Sequence, residues 1–191
     1  RRALMARLRV CHISLELSEP QITQRYIQSF FALMRYKAAV EISRLETDSL
    51  GRFTRFDRVE LKARRLLSDP KLVSEIPRKL DELRFHDNLV VKNFPSGLLS
   101  VMGLRAYLDA LERAHHFIPD VVILDYPDLM KIDRKRLREE LGGLFVELRG
   151  LAVERDLVMP TVTQANRAGA DAKLLTDTHA SEDFSKIMTA D

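Results

Sequence analysis

A single cysteine in 191 residues excludes an internal disulfide framework and any cysteine-rich zinc site. No apolar run approaches the roughly 20 residues needed to cross a bilayer. No charged-then-apolar leader opens the chain, and no internal repeat or low-complexity tract interrupts it. His115 and His116 are adjacent and His12, His86 and His179 isolated, so no H-E-x-x-H zinc spacing occurs. The lone cysteine and the lack of a spanning run favour an intracellular protein without a membrane partner. What remains is ordinary globular composition, 46% apolar and 31% charged, at one-domain size. The 31 basic and 28 acidic residues leave a net charge of +3, which is compatible with nucleic acid but shared by many enzymes. The first residues are Arg1-Arg2 rather than methionine, and the chain reads as a segment of something longer.

Four short runs rich in β-branched residues read as buried strands: Val10 to Leu17, Leu89 to Val91, Val121 to Leu124 and Val158 to Val162. Helical stripes separate them. Leu104, Leu108 and Leu111, with Met102 and Tyr107, make one; Leu137, Leu141, Leu144, Leu148 and Leu151 make another. Strands alternating with such helices predict an α/β fold, a mainly parallel sheet flanked by helices. The charge-rich stretch 41–86, broken at Pro70 and Pro77, reads as a helical excursion within a single domain spanning 1–191. Cys11, alternating with Ile13 and Leu15, is expected in the core.

In open parallel sheets ligands bind beyond the carboxyl ends of the strands, so the polar residue ending each run matters. The first run ends Ser14-Leu15-Glu16, the third Ile123-Leu124-Asp125, the fourth Thr163-Gln164. An aspartate after four aliphatic residues sets a carboxylate at the mouth of a low-dielectric sheet, which suits Mg²⁺ held through water, though apolar runs ending in Asp also start ordinary turns.

The longer strings are SLEL at Ser14 to Leu17, VVILDYPDLM at Val121 to Met130 and VMPTVTQANR at Val158 to Arg167. In that order they resemble the SLEM, DYLQLM and SQLNR stretches of the RecA-like motor domain of DnaB-type replicative DNA helicases. A basic patch and a helix carrying Leu148-Arg149-Gly150-Leu151-Ala152 lie between the last two, as in that family. The resemblance implies a RecA-like P-loop NTPase core and an ATP- and Mg²⁺-dependent DNA motor in the cytoplasm of a bacterial or phage-infected cell. It implies a homo-oligomeric ring acting on single-stranded DNA, with a primase or loader as partner. Glu16 would be the general base or water-orienting carboxylate, Asp125 would hold the water shell of Mg²⁺, and Gln164 would sense the γ-phosphate.

Two departures stand out. Pro127 replaces an aliphatic residue after the acidic strand, stiffening the chain. No G-x-x-x-x-G-K-[ST] string occurs, so no residue is assigned to phosphate binding. The core is therefore read as incomplete at both ends, with the arginine finger also beyond it, and these residues alone are expected to show no appreciable ATPase activity.

The resemblance further implies two DNA-gripping loops, at about 131–138 and 167–179. The first holds Lys131, Arg134 and Lys135 among five cations where a helix begins. Positive charge there opposes the helix dipole, which phosphate binding would explain; a solvated basic turn neutralised by Glu139 and Glu140 explains it equally. The second holds Arg167 and Lys173. Alternative readings are a recombinase-like or clock-type signalling ATPase of the same fold, and a non-hydrolysing assembly module.

Overall fold

The computed structural model describes residues 1–33, 39–48, 53–62, 68–82, 84–132 and 137–162. In chain order the elements are α1 (Arg2–Met5), β1 (Val10–Ser14), α2 (Glu19–Phe31), β2 (Ala39–Thr47), β3 (Phe53–Lys62), α3 (Pro70–Glu82), α4 (Phe85–Asn88), β4 (Leu89–Asn93), α5 (Val101–His115), β5 (Val121–Asp125) and α6 (Leu137–Glu154). They fall into two compact units, one of Thr23–Leu83 with Arg1, the other of Arg2–Ile22 with the residues from Arg84 on.

The second unit holds a parallel sheet in the order β4-β1-β5. Its register pairs Val10 with both Leu89 and Val121, and Ser14 with both Asn93 and Asp125. The predicted fourth strand lies beside β5 only as two isolated parallel bridges, Val121 to Val158 and Leu124 to Thr161. Pro160 interrupts that run and has no N–H to continue a ladder, which accounts for the difference.

One face of the sheet is apolar because β-strand side chains alternate. Cys11 and Ile13 of β1 and Val122 and Leu124 of β5 are fully buried in one cluster with Leu104 and Leu108 of α5 and Leu141, Leu148 and Leu151 of α6. Each of these aliphatic side chains contributes about 1.5–3 kcal/mol through burial. Cys11 is a core residue as expected, its thiol pushed up by burial to about 12. Met102, assigned to the α5 stripe, is 80% exposed. It sits two residues from Leu104, and neighbours at that spacing do not share a helix face.

The ends of α5 are specified locally. Ser100, in extended backbone, accepts the Gly103 N–H at 3.1 Å, a cap that stabilises a helix by about 1 kcal/mol. His116 ends it in the left-handed region, its N–H bonded to the Glu112 carbonyl, and the Phe117 N–H reaches Leu111.

Ion pairs tie α5 to α6 and the residue that follows it: Arg105 with Glu154, and Arg155 with Asp109 and, at 4.0 Å, with Glu112. Asp109 is held below the usual carboxylate range chiefly by the Arg155 hydrogen bond, and Glu154 chiefly by that from Arg105. Carboxylates depressed in the folded state add stability fully present above the ordinary carboxylate pKa, about 4, and lost as pH falls through the lowered folded values. The urea midpoint of the wild type is therefore expected to fall more steeply below about pH 4 than that of Asp109→Asn/Glu154→Gln; parallel curves would contradict this. The pairs are largely exposed, so the difference should be small and shrink with salt.

The first unit corrects the sequence reading. Residues 41–86 are not a helical excursion: β2 and β3 form an antiparallel ribbon, pairing Ile42 with Val59 and Glu46 with Arg55, before α3 begins. The β-branched and aromatic residues Val40, Ile42, Thr47, Phe53, Thr54, Phe56 and Val59 favour a pleated ribbon over a helix despite the intervening charges. Pro70 opens α3 at its first position, where its missing N–H costs nothing, and Pro77 lies within the same helix rather than ending it.

Candidate nucleotide site at the carboxyl edge of the sheet

The sheet register brings the ends of the first and third apolar runs together. Ser14 is the register partner of Asp125, the last residue of β5. Beyond them the Leu15 N–H donates to the Asp125 carbonyl at 2.8 Å, so the chains stay joined for one more residue. The strand then bends rather than running on to Leu17 as predicted. Ser14 is fully buried, and its Oγ accepts the Leu17 N–H at 2.9 Å, which closes the bend. Glu16 occupies the exposed part of this bend, whereas Asp125 is half-buried.

Asn93, at the end of β4, fixes the bend from the other side. Its Nδ2 donates to the carbonyls of Ser14 at 3.1 Å and Leu17 at 3.0 Å, and the Phe94 N–H also reaches the Ser14 carbonyl. The Asn93 backbone N–H in turn donates to Glu19 Oε1, which Lys92 Nζ approaches at 3.1 Å. These contacts hold the Glu19 carboxyl below its ordinary range, the Asn93 hydrogen bond first and Lys92 after it. Asn93 was missed in the sequence. The apolar run Leu89 to Val91 stops at Lys92, and Asn93 is the second polar residue beyond it.

Tyr126 was missed too. Its phenol is raised above the usual range, first by desolvation and then by the charges of Glu16, Asp128 and Asp125. The β1–β5 register and the Leu15 to Asp125 hydrogen bond place the backbones of Glu16 and Asp125 at one edge of the sheet. On β1, burial lowers the imidazole of His12, while the charge of Asp125 opposes the shift. The Asp125–Tyr126 peptide is cis, and the buried Pro127 then opens a 3₁₀ turn over Pro127–Leu129. The fixed φ of proline suits a first helical position, so the departure at Pro127 is accommodated without loss of the turn.

The donors at this rim are oxygens, from the Asp125 and Glu16 carboxylates. Among the described residues no group of three or more His, Cys, Asp or Glu could cage a metal. Such a sparse, hard donor set fits Mg²⁺, which keeps several waters and is usually bound by one or two carboxylates plus substrate phosphates. Of the other predicted site residues, Lys131 is exposed just after the 3₁₀ turn, its N–H bonded to the Leu99 carbonyl. Arg134, Lys135, Gln164, Arg167 and Lys173 lie outside the described residues.

The chain is similar to known proteins in sequence and in fold. The chain is 30% identical over 108 residues to a DnaB-like replicative helicase of Enterobacteria phage T4, a match taking in 54% of this chain and 23% of that protein. Less than a quarter of the phage protein's length is therefore spanned. Among solved structures, a DnaB-like replicative helicase studied for its interactions with primase superposes at a TM-score of 0.63 and 17% identity. It covers 98% of this chain and 40% of its own. An ATPase domain superposes at 0.61 and 15% identity, covering 98% of this chain and 58% of its own. No protein-family model matches. The chain thus has the fold of a RecA-like helicase ATPase domain, and the resemblance to DnaB-type replicative helicases carried by its motifs is met by both sequence and fold.

Proposed function

We propose that this chain is part of the ATP-driven motor of a replicative DNA helicase, translocating on single-stranded DNA by Mg²⁺-dependent hydrolysis. The observation that carries the reading is the register of Ser14 with Asp125, with Glu16 two residues further on at the same carboxyl edge. That edge is where parallel α/β sheets bind ligands. The relatives described above favour a helicase over a recombinase-like or signalling ATPase.

In this reading Asp125 holds the hydrated Mg²⁺, and the exposed Glu16 orients or deprotonates the attacking water. Bound Mg²⁺ supplies neutralisation of the phosphate charge. Asn93 keeps the Ser14–Leu17 bend in place and so fixes where the Glu16 carboxylate can reach. Gln164, at the end of the neighbouring run, senses the γ-phosphate and passes its presence to the residues that follow, since an amide both donates and accepts hydrogen bonds. Lys131, Arg134, Lys135, Arg167 and Lys173 contact DNA phosphates facing the centre of a homo-oligomeric ring, and a primase or loader is the expected partner.

Replacing Lys135, Arg136 and Lys173 together in the protein that carries this chain is expected to weaken single-strand binding. It should also lower the slope of log affinity against log salt by about 0.7 for each phosphate that is no longer neutralised. Fluorescence anisotropy with an oligothymidylate at several salt concentrations measures both, and an unchanged slope would remove these residues from the DNA path.

A further inference from the structure

The segment between β4 and α5 is bonded at both ends to functional parts of the sheet edge. At its start, Asn93 Nδ2 holds the Ser14 and Leu17 carbonyls of the bend that carries Glu16, and the Phe94 N–H donates to the Ser14 carbonyl at 3.0 Å. At its end it holds the 3₁₀ turn that follows β5. The Gly97 N–H donates to the Leu129 carbonyl at 2.7 Å, and the Leu99 carbonyl accepts the Lys131 N–H at 2.8 Å.

These bonds close a circuit. The bend and β5 are already joined by the Leu15 N–H on the Asp125 carbonyl, and the chain runs on from Asp125 through the turn Pro127–Leu129 to Lys131. With that path alone, the turn could pivot about residue 126 and leave the bend where it is. Residues 94–100 supply the second path. A shift of the turn draws on Gly97 and Leu99, and through them on the Ser14 carbonyl.

The segment is stiff enough to carry such a shift. Phe94 packs edge-on against Tyr107 of α5, with ring centroids 5.3 Å apart and planes at 86°, and Leu99 is buried in the core. Between them the Leu98 N–H donates to the Pro95 carbonyl at 3.2 Å, closing a turn whose third residue, Gly97, has φ of 78°. Glycine takes that conformation at no steric cost, and Pro95 fixes its own φ at the start of the turn.

We propose that residues 94–100 are a strut through which DNA held at Lys131 resets the position of Glu16 and so the rate of hydrolysis. Glu16 and Lys131 have here the roles given to them under the proposed function, on which the strut depends. Gly97 is then a positioning residue that acts through the turn. A Cβ at Gly97 meets nothing within 4 Å, so Gly97→Val disturbs the backbone alone, and Gly97→Asn, which tolerates positive φ, is its control. ATP turnover of the protein that carries this chain is measured without DNA and with saturating oligothymidylate. Gly97→Val is expected to reduce the stimulation by DNA about 2- to 30-fold, the range for residues that modulate coupling between two sites, with basal turnover and the KM for ATP unchanged. Gly97→Asn should keep wild-type stimulation. Full stimulation in Gly97→Val, or basal and stimulated turnover lowered by the same factor, would overturn the strut. Failure of the functional reading looks different: no Mg²⁺-dependent turnover in the wild type, or wild-type stimulation in Lys131→Gln, removes the role of Glu16 or of Lys131 and the strut with it.

Discussion

Replacing Glu16 with glutamine is expected to lower ATP turnover by about 10²–10⁴-fold, the contribution of a positioned general base, with little change in nucleotide affinity. Glutamine keeps the size of the side chain and loses the ability to take a proton, and Glu16 is exposed on a bend held by Ser14 and Asn93, so the fold should be undisturbed. Asp125→Asn should behave differently. Its primary defect is in holding the metal, so turnover should become dependent on much higher Mg²⁺ concentration. Steady-state turnover of the protein that carries this chain, titrated with Mg²⁺ for each variant, separates a loss in maximal rate from a loss in metal affinity. Wild-type turnover by Glu16→Gln would assign the base elsewhere.

The second large effect concerns the core on which that edge stands. Leu108 of α5 is fully buried in the cluster with Ile13, Val122 and Leu124, the residues that set β1 beside β5. Leu108→Ala should cost about 2–5 kcal/mol, the transfer term plus the cavity left behind. For a chain of this size that lowers the melting temperature by about 2–4 °C per kcal/mol. Met102→Ala on the same helix removes a similar amount of side chain from an 80% exposed position and should change stability by no more than about 0.5 kcal/mol. Calorimetric melting of the two variants is the check, and equal losses of stability would mean that the buried stripe of α5 is misassigned.

Much of the carboxyl edge of the sheet was legible because its residues obey a simple rule, an apolar run that stops at a polar residue. The run read as Val121 to Leu124 is a strand that extends one residue further, to Asp125, and the start of β1 at Val10 was also correct. The rule does not reveal pairing. That Ser14 stands opposite Asp125 depends on register, and the roles of Asn93 and Tyr126 depend on the bend that follows β1, which apolar periodicity does not encode. The ribbon of β2 and β3 was misread because arginine, glutamate and lysine dominate the segment and are good helix formers. The alternation of Val40 with Ile42 and of Val59 with Leu61, and Gly51 between the two stretches, were the contrary signals.

The proposed function requires a metal-bound nucleoside triphosphate at the carboxyl edge of the β4-β1-β5 sheet. Paramagnetic broadening by Mn²⁺ with a non-hydrolysable ATP analogue, read on backbone amides of the protein that carries this chain, tests it by position. The amides of Leu15, Glu16 and Tyr126 should broaden first while those of Arg9 and Val10, at the other end of the strand, stay sharp. Broadening centred on Arg9 and Val10, or an absence of broadening at Glu16 and Tyr126 when the analogue is bound, would contradict it.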